Sequence, residues 1–369
     1  MLPHMQQARA LLAQKQAEIF DIEAQMAALA RTLAAARDAQ QLIWEGLQSY
    51  KYPVLSLPNE VVCEIFVHTI PPYPEPPLPF SDCSPTVLTR ICRQWRELAV
   101  ETPRLWRTIS LLNPRKSLEP QQAFRIASLW LKRSGSCPLS IRADDLNPVL
   151  SVLLPERMRW EHLKLHVDDP TDMQEGPFPL LRSLDLILMP KNAATPFLLP
   201  SQSAPLLRSV RIFAQNGGTI DLPWAQLTSL MLYLQRTPGF RRILRQTRHL
   251  VHCTLYCPFS DTDGLGSEIH LPHLEFLTFT GGAIKDFLGS LLAPNLQALH
   301  VPEPSLGSQP IDTLKSFISK SNCKLKEMQI VSEAAISSED AYRAAFPSVP
   351  RVTVSDRRCV SSDSESDSD

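Results

Sequence analysis

Nine times between Trp160 and Val354 the chain repeats one pattern: an apolar residue, two others, an apolar residue, one other, an apolar residue. The triplets are Trp160/Leu163/Leu165, Leu181/Leu184/Leu186, Leu207/Val210/Ile212, Leu227/Leu230/Leu232, Leu250/Cys253/Leu255, Leu274/Leu277/Phe279, Leu296/Leu299/Val301, Leu325/Met328/Ile330 and Val349/Val352/Val354. Their starts lie 20 to 29 residues apart. A period of that size marks a stack of supersecondary units, none of which buries its apolar face alone. Within each unit the second and third apolar positions alternate as in a strand. Pro179, Pro205, Pro272 and Pro294 stand just ahead of the pattern, and helix-like stretches at 240–248, 284–292 and 311–319 lie between units. The pattern predicts an α/β solenoid over residues 146–356, each strand followed by a return helix.

Residues between the inward positions of such strands face outward and recur from unit to unit as a row. That row holds Lys164, Asp185, Arg211, Met231, Tyr233, His252, Tyr256, Phe276 and His300. Its aromatic middle and mixed charges suit a protein or peptide ligand better than nucleic acid. Arg211, Tyr233, His252, Tyr256, Phe276 and His300 are the predicted target-binding residues. The bland alternative is that each is an ordinary solvated strand residue.

Upstream, the stretch from Tyr50 to Ile109 carries its signal at its two ends. Pro58 pre-sets the torsion of a helix start, and Glu60 sits well in the first turn against the positive helix end. Val61 and Ile65 fall on one stripe of that helix, Val62 and Phe66 on another. One stripe serves a small core and the other a partner. Ser84-Pro85 begins a second helix, with Leu88, Ile91, Cys92 and Trp95 at three-to-four spacing. Pro103 ends it and delivers Leu105 and Trp106 as a lid. About 50–60 residues of this kind make a marginal core, so an exposed apolar stripe is expected to find a partner.

Leu57-Pro58-Asn59-Glu60 followed by Val61-Val62, then Cys92-Arg93-Gln94-Trp95-Arg96, then Pro103-Arg104-Leu105-Trp106, resemble an F-box. The lead-in Tyr50-Lys51-Tyr52-Pro53-Val54-Leu55 is similar to that of the large F-box-like group of mushroom-forming fungi, the basidiomycetes. The resemblance implies that residues 50–110 form a small all-α domain that docks on the Skp-type adaptor of a cullin-RING ubiquitin ligase. Carried over by position, Leu57, Pro58, Val61 and Ile65 face the adaptor, while Ile91, Trp95 and Trp106 hold the domain together. Where a compact F-box has a short turn, this chain has a proline-rich insert from Thr69 to Pro85. Beyond the box, the chain reads as a helix over 120–133 ended by Gly135 and a strand over 138–142, a connector spanning 111–145. This block too resembles its counterpart downstream of the box in the fungal group. The repeats have the period of leucine-rich repeats, although most units lack the asparagine that completes the regular motif.

Strong helix formers dominate from Met5 to Tyr50. A heptad places Met5, Leu12, Ile19, Met26, Leu33, Gln40 and Leu47 on one seam position, and Ala8, Lys15, Ile22, Leu29, Ala36, Ile43 and Tyr50 on the other. Residues 1–49 therefore read as a long helix able to form a coiled coil. A homodimer through residues 5–50 and a helix folded back on its own chain fit the seam equally. At the other end, residues 357–369 read as a disordered acidic tail. Ser362, Ser364 and Ser366 each have an acid three residues on, as an acidophilic kinase requires; a plain solvated end is the simpler reading.

The 37 basic and 38 acidic residues balance, so no global field steers the chain toward nucleic acid. Eight cysteines at scattered spacings, with no N-terminal signal peptide, read as reduced thiols of a cytoplasmic or nuclear protein. No apolar run approaches the length of a membrane span. His249, His252, Cys253 and Cys257 invite a metal, but strand alternation puts His252 opposite Cys253. Asp261-Thr262-Asp263-Gly264 lacks the later glutamate of a calcium loop. There is no nucleophile elbow, phosphate loop or dinucleotide glycine set. The sequence thus predicts no enzyme, no catalytic or metal residue and no cofactor. It points to a substrate receptor, with a structural scaffold protein that never engages a ligase as the alternative.

Overall fold

The computed structural model describes residues 2–49, 57–111, 119–143, 149–167, 176–188, 197–214, 220–234, 240–256, 268–282, 284–332 and 338–356. The acidic tail with Ser362, Ser364 and Ser366, the lead-in 50–56, Cys257 and the 261–264 turn lie outside these residues. The chain divides into two compact units, Met1–Val62 and Cys63–Asp369.

The first unit is dominated by α1 (Leu2–Ser49), one unbroken helix. All residues from 5 to 47 are exposed, including Ile19, Phe20, Met26, Leu29, Ile43 and Trp44. Helix α2 (Asn59–Thr69) begins in this unit and ends in the next. No helix among the described residues is long and apolar enough to cross a membrane.

In the second unit the predicted second helix is two helices, α3 (Pro85–Ile91) and α4 (Arg93–Val100). Ser84 caps α3 as expected, its hydroxyl accepting from the Thr86 N–H. The break falls at Cys92, which takes an extended conformation and caps α4 by accepting the Trp95 N–H at 3.4 Å. Arg96 stitches the two together by donating from Nε to the Thr89 carbonyl at 2.7 Å. A 3-10 turn at Pro103–Leu105 then drives Leu105 and Trp106 inside.

Directly after Trp106 the chain enters an 11-stranded sheet in which every pair is parallel. Its strands are β1 (Thr108–Leu111), β2 (Leu139–Ala143), β3 (Trp160–Val167), β4 (Ser183–Leu188), β6 (Ser209–Ala214), β8 (Ser229–Leu234), β9 (His252–Tyr256), β11 (Phe276–Gly281), β13 (Ala298–Pro302), β14 (Glu327–Ser332) and β15 (Arg351–Asp356). They add in sequence order. Two short pairs run along the returns, β5 (Phe197–Leu198) with β7 (Ile220–Asp221) and β10 (Ile269–His270) with β12 (Leu291–Leu292). The sheet thus takes its first two strands from ahead of the repeats, β1 from the end of the helical segment itself.

Every apolar position of the nine triplets is buried except Val354, on the last strand. A turn recurs in front of seven of them. The N–H of Leu181, Leu207, Leu227, Leu250, Leu274, Leu296 and Val349 each donates to the carbonyl three residues back, at 3.1–3.3 Å. The residues supplying those carbonyls, Phe178, Ala204, Trp224, Thr247, Leu271, Ala293 and Phe346, are buried too, a fourth inward position per unit. This explains the prolines: Pro179, Pro205, Pro272 and Pro294 hold the second place of a β-turn, where their fixed φ is favoured.

Return helices follow only some strands. Helix α5 (Pro120–Arg133) precedes β2 and is closed by Gly135 in the left-handed region, as predicted. Short α6 (Leu150–Leu153), α7 (Phe240–Gln246), α8 (Lys285–Ser290), α9 (Pro310–Ser321) and α10 (Glu339–Ala345) follow. Elsewhere the described part of the return is an extended segment or a 3-10 turn, as at Trp224–Gln226. The expectation of a helix in every return is corrected among the described residues, most plainly between β6 and β8, where residues 220–228 form a short strand and a 3-10 turn. Pro196, Pro200, Pro205 and Pro223 fall between β4 and β8, and each removes a donor a helix would need.

Candidate protein-docking surfaces

Helix α2 separates its two stripes as periodicity requires. Val62 and Phe66 are 2% and 0% exposed, whereas Val61 and Ile65, one turn apart on the other stripe, are 44% and 43% exposed. Leu57, just ahead of the helix, is 37% exposed, and Pro58 is exposed with its carbonyl accepting the Val62 N–H at 3.1 Å. Behind the stripe, Phe66 meets the Trp95 ring edge-on at 4.9 Å. Trp106 donates from Nε1 to the Ala99 carbonyl at 2.7 Å, packs edge-on against Trp130 at 5.4 Å and lies beneath the Arg133 guanidinium. Trp95 and Trp106 therefore serve the core. Ile91 does not: it is 55% exposed, because the break at Cys92 ends α3 with that side chain facing out.

One part of the proline-rich insert, Tyr73 to Pro76, lies over the sheet. Ser140 Oγ donates to the Pro74 carbonyl at 2.6 Å. The Tyr73 hydroxyl donates to Glu161 at 2.7 Å, and its ring stands edge-on to His162 with the Arg107 guanidinium above it. Burial and the neighbouring Glu161 carboxylate push the Tyr73 phenol well above its usual range, and burial holds His162 below its ordinary value. Thr108, Ser110 and Ser140 are buried on the same side of the sheet as Lys164, so β2 does not alternate as a half-buried strand would.

From β3 onward the outward side is open in part, and its predicted residues fall in three registers rather than one row. The first register runs Ser183, Ser209, Ser229, His252, Phe276, Ala298. Here His252 and Phe276 stack at 4.6 Å and 3° between planes. The second runs Arg142, Lys164, Asp185, Arg211, Met231, with His300 further along. Asp185 is shared by Lys164 at 3.3 Å and Arg211 at 3.4 Å. His300 is half-buried and held below its ordinary pKa by burial. The third runs Ile187, Phe213, Tyr233, Tyr256. Phe213 and Tyr233 stack at 4.2 Å, Tyr233 and Tyr256 at 3.8 Å.

Stacking follows from the register. Neighbouring strands lie about 4.8 Å apart, so flat rings at one register have only their faces to offer one another. The next position of the third register is Gly281, where a Cβ would come within 2.9 Å of the Tyr256 ring. The glycine lets that ring lie over the backbone. Phe213 and Gly281 were not among the predicted residues, although Phe213 follows the inward Ile212 as Tyr233 follows Leu232.

Among the described residues no three His, Cys, Asp or Glu side chains converge as metal ligands, and His252 and Cys253 point to opposite sides, one exposed and one 2% exposed. Burial pushes the Cys253 thiol up to about 12. What remains is an apolar stripe on α2 and an aromatic and charged sheet face.

No curated protein and no solved structure matches the chain. One family model does match, that of the F-box-like family, over residues 54–112, the span from the lead-in through α2, the insert, α3 and α4 to β1. With its Leu-Pro-x-Glu start, its Cys-Arg-x-Trp-Arg helix and its buried Leu105 and Trp106, this segment is an F-box-like domain.

Proposed function

We propose that the chain is the substrate-recognition subunit of an SCF-type cullin-RING ubiquitin ligase, of the kind found in mushroom-forming fungi. Leu57, Pro58, Val61 and Ile65 dock the Skp-type adaptor and, through it, a cullin. Residues 146–356, a leucine-rich-repeat-like solenoid, hold a protein target with Arg211, Tyr233, His252, Tyr256, Phe276 and His300. Residues 1–49 self-associate as a coiled coil, 50–110 are the box, 111–145 connect, and 357–369 are an acidic tail open to phosphorylation at Ser362, Ser364 and Ser366. The chain catalyses nothing and needs no cofactor; it works in the cytoplasm or nucleus by raising the local concentration of target lysines near the ligase.

The observation that carries this reading is the pair of stripes on α2: Val62 and Phe66 buried, Val61 and Ile65 left out, in a segment that matches the F-box-like family. Apolar side chains left out on one stripe of a helix mark a docking site. A pull-down of the full chain with a Skp-type adaptor tests it. Leu57→Ala/Ile65→Ala removes two exposed side chains, so the melting temperature should hold while adaptor capture falls at least tenfold, as truncation of interface anchors worth about 2 kcal/mol each would give. Capture unchanged by the double substitution would falsify the receptor reading. The second reading, a scaffold assembled through α1, is favoured by the exposed Ile19, Met26, Leu33, Ile43 and Leu47 on that helix, and it predicts no adaptor capture at all.

A further inference from the structure

We propose that the cleft between the proline-rich insert and the first strands of the sheet face receives an acidic side chain from an extended segment of the captured protein. This rests on the reading of the sheet face as the target surface and adds the chemistry of what it reads. The cleft measures about 220 Å³ and lies between Pro74 and Pro76 on the insert and Arg142, Lys164, Asp185 and Arg211 on the strands.

The second register across β2, β3, β4 and β6 places three cations beside one carboxylate. Asp185 is recessed, with 16% of its side chain exposed, while Lys164 and Arg211 keep 37% and 58%. A ligand entering from outside therefore meets the cations first. Glu75, the other carboxylate of the lining, sits exposed on the insert. Arg142 closes the strand side of the cleft. Its Nε is buried and makes no hydrogen bond among the described residues. A buried guanidinium nitrogen without an acceptor is costly, and Arg142 lines the cleft with a cation that no carboxylate pairs among the described residues, which a carboxylate or phosphate in the cleft would neutralise. Ser183 and Ser209, one register earlier, supply hydroxyl donors to the same space.

The wall is built in advance. Ser140, Glu161, His162 and Arg107 all hold the Tyr73-Pro74 corner, so little ordering is left for binding. The cleft also has a neighbour: Tyr233 on β8 lies three strands beyond Lys164 on β3. Three strand spacings are about 14 Å, or about four residues of extended chain. The occupant is thus an acidic residue followed or preceded, about four positions away, by an apolar or aromatic one seated on the Tyr233 ladder.

A library of synthetic nonapeptides tests this with the full chain immobilised. One position is fixed as Asp, Glu, phosphoserine, Ala or Lys, and the others are randomised. The wild-type chain is expected to retain acidic arms at least tenfold over the Lys arm, with an apolar or aromatic preference about four positions away. The carboxylate and phosphoserine arms then tell which acid is preferred. Arg142→Glu, and independently Lys164→Glu, should abolish the acidic preference and leave the apolar one. Melting curves of both variants must match wild type. No acidic enrichment, or enrichment indifferent to both variants, overturns the proposal. If peptides of other character are captured and lost in Tyr233→Ala, the acidic cleft fails while the target face stands. If the wild type retains no peptide, both fall. Adaptor capture by the same preparation reports separately on the box.

Discussion

On the inward side of the sheet, Leu184, Val210, Leu230, Cys253, Leu277, Leu299 and Met328 follow one another through the register, none more than 2% exposed. One residue later, the outward side reads Asp185, Arg211, Met231, Thr254, Thr278, His300 and Gln329. The same strands carry both. The inward series is constrained by volume, since each unit must fill the space its neighbour leaves. The outward series is constrained only by the strand spacing, which dictates that rings stack and that charges pair across, but not which rings or charges. A chain that holds one side constant is free to write a ligand's chemistry on the other.

Adjacent substitutions on β8 give the sharpest test. Leu232→Ala deletes a side chain that is 1% exposed and should cost about 2–5 kcal/mol in denaturant unfolding at unchanged m-value. Tyr233→Ala loses two ring stacks at about 0.5–1.5 kcal/mol each, so about 1–3 kcal/mol. Equal losses would break the comparison, because the ladder would then be part of the core. Gly281→Ala comes next. Its Cβ would stand 2.9 Å from the Tyr256 ring, which must swing off the backbone, for a loss of about 0.5–1.5 kcal/mol and a changed near-ultraviolet tyrosine signal. An unchanged signal would mean that the ring does not rest there.

The smallest effect is acid sensitivity, and it too belongs to the outward side. Burial holds His162 and His300 below the ordinary 6.5, so the folded state binds fewer protons than the unfolded one just below that pH. Stability is then complete above about 6.5 and is lost as the pH falls through the window down to the depressed values. His162→Gln/His300→Gln should flatten thermal stability between neutral and mildly acidic pH. A slope that persists in the double variant would place the acid-sensitive groups elsewhere.

Spacing alone was enough to read the inward side. Twenty-six of the 27 triplet positions are buried because a repeat that must stack leaves them no choice. The recurring turn was half visible, through its prolines; the buried residue that opens each turn was not, since it ranges from the ring of Phe178 and the methyl of Ala204 to the hydroxyl of Thr247. Aligning the triplets already sets Leu232 beside Leu255 and so Tyr233 beside Tyr256; what the spacing hid was the shift after Phe279 that brings Gly281, rather than Thr280, next to Tyr256. The break at Cys92 was equally unreadable, because the apolar spacing runs through it undisturbed. The path of the insert was beyond periodicity altogether: its contacts join Pro74 to Ser140 and Tyr73 to Glu161.

Strand β1 begins two residues after Trp106 and pairs at once with β2, and residues 63–111 share one compact unit with the whole sheet. No linker separates Trp106 from the first strand. On the proposed receptor reading, a protein held on the sheet would be presented at a bearing relative to residues 63–111 that is set when the chain folds, and only lysines lying within reach along that bearing would be modified. Two proteins gripped equally well could then meet opposite fates, according to where their lysines happen to project.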